Sequence, residues 1–333
     1  MSAPIDVEPE APAAAPDAAV VPNKAIEGRS LGQIAWTRLK RDRVALGGGV
    51  VIVALIIVAL IAPLLVKLFG HPPNEFHQDL IDPTFQIPTG RFGGISKDFP
   101  LGVEPTSGRD IFSRIVYGAR ISLLVAFLAT VLSVVIGTVL GVTAGYFGGW
   151  VDGLISRLMD VLLAFPILLF AIGLGAVLQS GDGVFGLSGT ALSVAVIVFI
   201  IGFFNWPYIG RIVRGQTLTL REKEFVDAAR SLGASNGHIL FKQLLPNLVA
   251  PILVYATLII PSNILFEAAL SFLGVGVREP TPSWGKMLSD AVSTYSIDPA
   301  YMLVPGLALF ITVLAFNLLG DGLRDALDPR SGR

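Results

Sequence analysis

The sequence predicts an all-α, polytopic membrane protein with six transmembrane helices and two short polar helices between the fourth and fifth spans. Three observations carry this. Of the 333 residues, 53% are hydrophobic and only 15% charged, and the mean hydropathy is +0.71; a soluble domain is about a quarter charged. Six apolar runs each approach the roughly 20 residues that a helix needs to cross hydrocarbon. Those runs are too long and continuous for barrel strands, and a bilayer admits only helices or closed barrels, because backbone polar groups must be paired within the protein.

The elements follow in order. Residues 1–28 are rich in Ala and Pro and acidic. They lack the basic start and early apolar core of a cleavable signal and have too little apolar surface to offset ordering entropy, so a disordered tail is expected. Residues 29–69 hold the first span, Val44–Leu68, led by Arg38, Lys40, Arg41 and Arg43. Residues 70–118 form a Pro- and Gly-rich loop ending in Gly108-Arg-Asp-Ile111-Phe112-Ser-Arg114-Ile115-Val116-Tyr117. Apolar residues at i, i+1, i+4 and i+5 predict a short helix there, flat in the interface with Arg109 and Arg114 toward water. Residues 119–322 carry the other spans: Ile121–Thr143, Leu158–Leu178, Ala191–Ile212, Val249–Phe272 and Met302–Leu319. Residues 323–333 are a second tail.

Within the spans, Gly137, Gly141 and Gly145 fall four apart and predict close helix packing. Asn205-Trp-Pro207 predicts a kink, and Pro261-Ser-Asn263 a break in the fifth span. Six spans place both termini on one side. Sixteen of the 24 Lys and Arg residues then share that side, which makes it cytoplasmic, although Arg109, Arg114 and Arg120 pull the other way.

Composition excludes several functions. A net charge of −1 gives no electrostatic footprint for nucleic acid, and the absence of cysteine excludes disulfides, thiolate metal sites and a cysteine nucleophile. The three histidines (His71, His77, His238) are scattered, so no metal centre, cofactor or catalytic residue is expected. No phosphate-cradling Gly-x-x-x-x-Gly-Lys-Ser/Thr occurs, so the chain is not expected to bind or hydrolyse ATP itself.

The most informative stretch is polar and lies between spans four and five: Glu224-Phe-Val-Asp227-Ala228-Ala229-Arg-Ser-Leu-Gly233, then Ala-Ser235 and on to Leu245-Pro246-Asn247. Phe225, Val226, Ala229 and Leu232 recur at helical spacing. Gly233 can take the left-handed turn that ends a helix, Ser235 can cap the next, and Pro246 suits a first turn. By spacing alone this is a connector or a docking element. It resembles the signature loop of the membrane subunits of ATP-binding-cassette importers, which carries an acid followed by Ala-Ala, a Gly six residues after the acid, and Leu-Pro before the next span. Asp227 stands where that family usually has Glu, and Gln243 where an aliphatic residue is common.

The resemblance extends over residues 31–330. Gly108-Arg-Asp-Ile-Phe-Ser-Arg, Gly118-Ala-Arg-Ile-Ser, Ala144-Gly-Tyr-Phe-Gly-Gly-Trp-Val-Asp152, Glu267-Ala-Ala-Leu-Ser-Phe-Leu-Gly, Pro280-Thr-Pro-Ser-Trp-Gly and Phe316-Asn-Leu-Leu-Gly-Asp-Gly-Leu-Arg-Asp-Ala-Leu-Asp-Pro329 are similar to the C-type permease of dipeptide and oligopeptide importers, a subfamily that also serves nickel. The resemblance implies a permease subunit in the inner (plasma) membrane for short peptides, not an enzyme. It also implies a second permease subunit, two cytoplasmic ATPase subunits coupled through Glu224, Asp227, Ala228, Ala229, Gly233, Leu245 and Pro246, and an extracytoplasmic solute-binding protein. An importer for another solute such as nickel, a secondary transporter and a membrane anchor are the alternatives. Intramembrane charge, which a secondary transporter needs, is scarce. Glu267, near the outer end of the fifth span, stands out with Asn263. These two are candidates for the pathway or its outer gate, against a reading in which Glu267 anchors helices internally.

Overall fold

The computed structural model describes residues 36–90, 92–180, 186–296 and 298–327. The tail 1–28 and residues 328–333 lie outside that description. Among the described residues the principal helices are α1 Arg43–Leu60, α2 Ala62–Phe69, α3 Ile111–Phe147, α4 Gly149–Ala164, α5 Ile167–Ser180, α6 Gly189–Arg221, α7 Glu224–Ser231, α8 Asn236–Phe272, α9 Trp284–Ala291 and α10 Ala300–Leu327. Helices α1, α3, α6, α8 and α10 are long and apolar enough to cross a membrane, and α4 with α5 makes a sixth candidate as a pair bent by 78°. No strand occurs among the described residues.

The bundle is built on α3 and α6, which pack together more extensively than any other pair. The glycine stripe explains this. A Cβ on Gly137 would meet Trp206 O and Ile209 Cβ at 2.8 Å, one on Gly141 would meet Gly210 O at 2.6 Å, and one on Gly145 would meet Thr217 Cβ at 2.7 Å. Only hydrogen at those positions lets the two backbones approach, and in lipid, where no hydrophobic drive joins helices, that contact is a main source of cohesion. At one end, Asp42 caps α1 by accepting from Val44 N and Ala45 N (2.9 and 3.0 Å), and Ala45 packs against Gly322 near the end of α10. The first and last described helices therefore meet at the end of the bundle that also carries α7.

Three sequence expectations are corrected. The predicted third span, Leu158–Leu178, is not one helix. It breaks before Pro166, because proline drives Phe165 to an extended conformation (ψ 132°). The break predicted at Pro261 is absent: α8 runs unbroken through Pro251 and Pro261, as proline-containing membrane helices do when neighbours accommodate the freed carbonyls. The flat interfacial helix is also absent. Residues 111–117 are the first turns of α3, whose N-cap Asp110 accepts from Phe112 N at 3.0 Å.

Arg114 accordingly points inward and is fully buried rather than facing water. It is held by an ion pair with Glu104 Oε1 at 2.5 Å. Glu104, also buried, accepts from Arg109 Nε (2.7 Å), Ser107 Oγ (3.0 Å) and Tyr301 Oη (2.8 Å). A buried charge is tolerated when paired and saturated with hydrogen bonds. This cluster fastens the loop before α3 onto α10, forming a polar cap on the end of the bundle opposite α7. Glu279 joins it from the α8–α9 connection through Arg109 at 2.7 Å. Burial pushes the Glu279 carboxyl up, but the Arg109 bond and the charges of Arg114 and Arg109 outweigh it and leave the pKa below its ordinary value.

Candidate functional site

Helix α7 begins with Glu224, whose acidic side chain complements the helix dipole in the first turn. It is eight residues long, and its end is set by backbone chemistry. Gly233 sits at φ +78°, its N–H donates to Arg230 O at 2.9 Å, and Ala234 N–H donates to Ala229 O at 3.0 Å. This is the paired-bond helix terminus that a left-handed glycine permits. Ser235 then caps α8, accepting from His238 N at 3.3 Å. The helix–glycine–helix reading of the sequence is thus what the chain adopts.

The α7–α8 unit has two faces. Val226, Ile239 and Leu244 are buried and pack with Tyr146, Val213 and Leu248. Asp227, Ala228 and Gly233 are exposed, Ala229 is half-buried, and Leu232 is 88% exposed. A shallow groove of about 600 Å³ runs along this second face, lined by Phe225, Ala228, Ala229, Leu232 and Gly233. Leu245 and Pro246 lie beyond it, where a wide turn at Ile239–Leu244 passes into the straight part of α8. The predicted coupling residues therefore separate: Glu224, Asp227, Ala228, Ala229 and Gly233 share the outer face of α7 and its turn, while Leu245 and Pro246 shape the entry to α8.

The structure adds anchors that sequence reasoning missed. Tyr146, at the end of α3, donates to Asn236 Oδ1 at 2.9 Å, and Arg230 lies over its ring at 5.7 Å. Arg221 donates to Gly145 O at 2.9 Å. Arg214 of α6 grips both carboxylate oxygens of Asp152 on α4. The α7 unit is thereby tied to α3 at several points, and α6 to α4. Tyr146 and Asp152 both lie in the quoted Ala144–Asp152 motif, which was the only signal available.

The two membrane candidates are both fully buried. Asn263 accepts from Asn205 Nδ2 and donates to Thr130 Oγ1, each at 2.8 Å, so one side chain links α3, α6 and α8. Asn205, read from sequence as part of a kink, is a member of this network. Glu267 Oε1 accepts from Ser271 Oγ at 2.8 Å. Ser122 of α3 and Ser283 face the same carboxyl. Ser122 Oγ accepts from Trp284 N and Ser283 Oγ from Lys286 N, while Glu267 Oε2 is buried without a hydrogen-bond partner among the described residues. Beside the asparagine network a crevice of about 350 Å³ opens between α6 and α8, lined by Asn205, Tyr208, Tyr255 and Ser262 among others.

Residues 137–333 match the binding-protein-dependent transport system inner membrane component, and residues 30–88 match the N-terminal membrane domain of oligopeptide transport permease C. The chain belongs to this family. It is 43% identical over 296 residues to the dipeptide transport system permease protein of Alkalihalophilus pseudofirmus, and 44% identical over 295 residues to the glutathione transport system permease protein of Salmonella typhimurium, covering 89% of each chain in both cases. Its fold matches a chain of the MetNI methionine ABC transporter in an inward-facing form, with TM-score 0.51 and 19% identity over 66% of this chain and 98% of that one.

Proposed function

We propose that the chain is one permease subunit of an ATP-driven importer and forms half of a translocation pathway for short peptides. The observation that carries this is the exposed α7 surface, Glu224 to Gly233, braced against α3 through Tyr146 and Arg230. A surface with small residues at its centre and an exposed leucine at its rim suits insertion into a groove of another protein. Its bracing lets movement of that protein reach the spans. The sequence similarity to dipeptide and glutathione permeases supports a peptide cargo.

Two separate ATPase subunits supply the energy, since the chain has no phosphate-cradling loop of its own. A second permease completes the pathway, and an extracytoplasmic solute-binding protein delivers cargo at the cap end. Both termini and α7 are cytoplasmic, in keeping with the excess of Lys and Arg on that side and with α1 meeting α10 there. The α6–α8 crevice, with Tyr208 and Ser262 in its wall, contributes to the pathway. Asn263 holds that wall in register from behind, and Glu267 anchors α8 to α3 and the α9 cap.

Reconstitution tests the proposal. The complete complex in proteoliposomes should accumulate short peptides only with ATP inside the ATPase compartment, and this chain alone should neither hydrolyse ATP nor accumulate peptide. Uptake by the isolated chain that followed a proton gradient would contradict it.

A further inference from the structure

A second crevice, of about 810 Å³, lies between α1, α3, α8 and α10. Its walls are apolar, formed by Ile56, Leu60, Leu124, Phe127, Ile260 and Phe316. One end is different: Tyr117 and Arg120 line it there.

The position of that end along α3 fixes its depth. Arg120 is the last charged residue of the helix, and Ile121 to Phe147 contains none. That uncharged stretch is about 40 Å long at 1.5 Å per residue, close to the thickness of a bilayer with its interfaces. Arg120 therefore stands at headgroup level. Leu124 and Phe127 lie about 6 and 10 Å deeper, within the acyl region.

The polar end lacks a protein acceptor. Among the described residues no carboxylate lies within ion-pair distance of Arg120, whose guanidinium rests over the Tyr117 ring at 5.7 Å. The Tyr117 hydroxyl likewise meets no acceptor among them. A planar guanidinium and a phenol, both with free donors, above a membrane-depth apolar slot, match a phosphate diester above an acyl chain. An apolar helix from a companion subunit would leave these donors unmet. A choline headgroup would set its own cation beside the arginine.

We propose that this crevice is a binding site for an anionic phospholipid, with the phosphate held by Arg120 and Tyr117 and an acyl chain lying against Leu124 and Phe127. The proposal does not depend on the cargo or on ATP coupling.

The test is native mass spectrometry of the assembled complex, equilibrated with phosphatidylglycerol or phosphatidylcholine in a mild detergent. The wild type should retain phosphatidylglycerol in preference to phosphatidylcholine. Arg120→Ala should lower that retention about fivefold, the effect of one interfacial cation, and Arg120→Lys should retain more than Arg120→Ala. Leu124→Trp, which fills the slot, should displace both lipids. Equal retention of the two lipids by the wild type, or unchanged retention by Arg120→Ala, would overturn the proposal. So would efficient disulfide formation between Phe127→Cys and a companion membrane subunit, which would show that protein closes the slot.

Discussion

Substitution of Gly233 separates backbone conformation from side-chain size. Its φ of +78° lies in the left-handed region, and a Cβ built there meets nothing within 4 Å. Alanine therefore causes no clash, and its whole cost is conformational, about 1 kcal/mol. Asparagine, which tolerates this region better, should cost less. Proline is different in kind. It fixes φ near −65° and removes the N–H that donates to Arg230 O, so the turn cannot form and a loss of about 3 kcal/mol or more is expected. The readout is peptide imported per ATP hydrolysed by the reconstituted complex, with assembly measured in parallel. The expected order is Gly, Asn, Ala, then Pro far below. A proline variant that couples normally would refute the reasoning, and so would an alanine variant as impaired as proline.

Three further outcomes are expected. Glu267→Gln keeps the shape but adds N–H donors beside serine hydroxyls, so assembly and thermal stability should fall while transport per assembled complex stays near wild type; a large transport loss at full assembly would make Glu267 a pathway residue instead. Asn263→Leu strands the Asn205 amide and should lower the complex's resistance to unfolding by about 1–3 kcal/mol, as read by denaturant titration. Glu279 has a folded-state pKa below its ordinary value, so its ion pairs stabilise the cap above pH about 4.5 and lose this effect as pH falls through the depressed folded value. Proteolysis of the cap should rise on acidification through that window in the wild type, and in Glu279→Gln should be raised already at neutral pH.

Local chemistry was legible in the sequence. Helical spacing from Phe225 to Leu232, a glycine two residues after Ser231 and a capping serine at 235 specify a turn from neighbouring residues alone, and it forms as read. The glycine stripe at 137, 141 and 145 likewise announced a close contact, though not that α6 would fill it. What escaped was set by distant partners. Arg114 is amphipathic by position, yet it buries because Glu104 pairs with it and Tyr301, 197 residues from Glu104, donates to that same carboxylate. Asn205 and Asn263 pair across 58 positions, so neither reads as part of a network. Prolines misled in both directions: Pro166 bends the chain where its predecessor is free to extend, whereas Pro261 stays helical among packed neighbours.

The most direct measurement concerns the exposed face of α7. Cysteines placed singly at Ala228 and Leu232 in the assembled complex, with a cysteine scan of the companion ATPase, should form disulfides to that subunit whose yield changes when ATP binds. A cysteine at Phe85, exposed in the cap at the opposite end, should form none. If the α7 positions fail to crosslink to the ATPase in a complex that still hydrolyses ATP and imports peptide, energy does not enter through this surface and the account is contradicted.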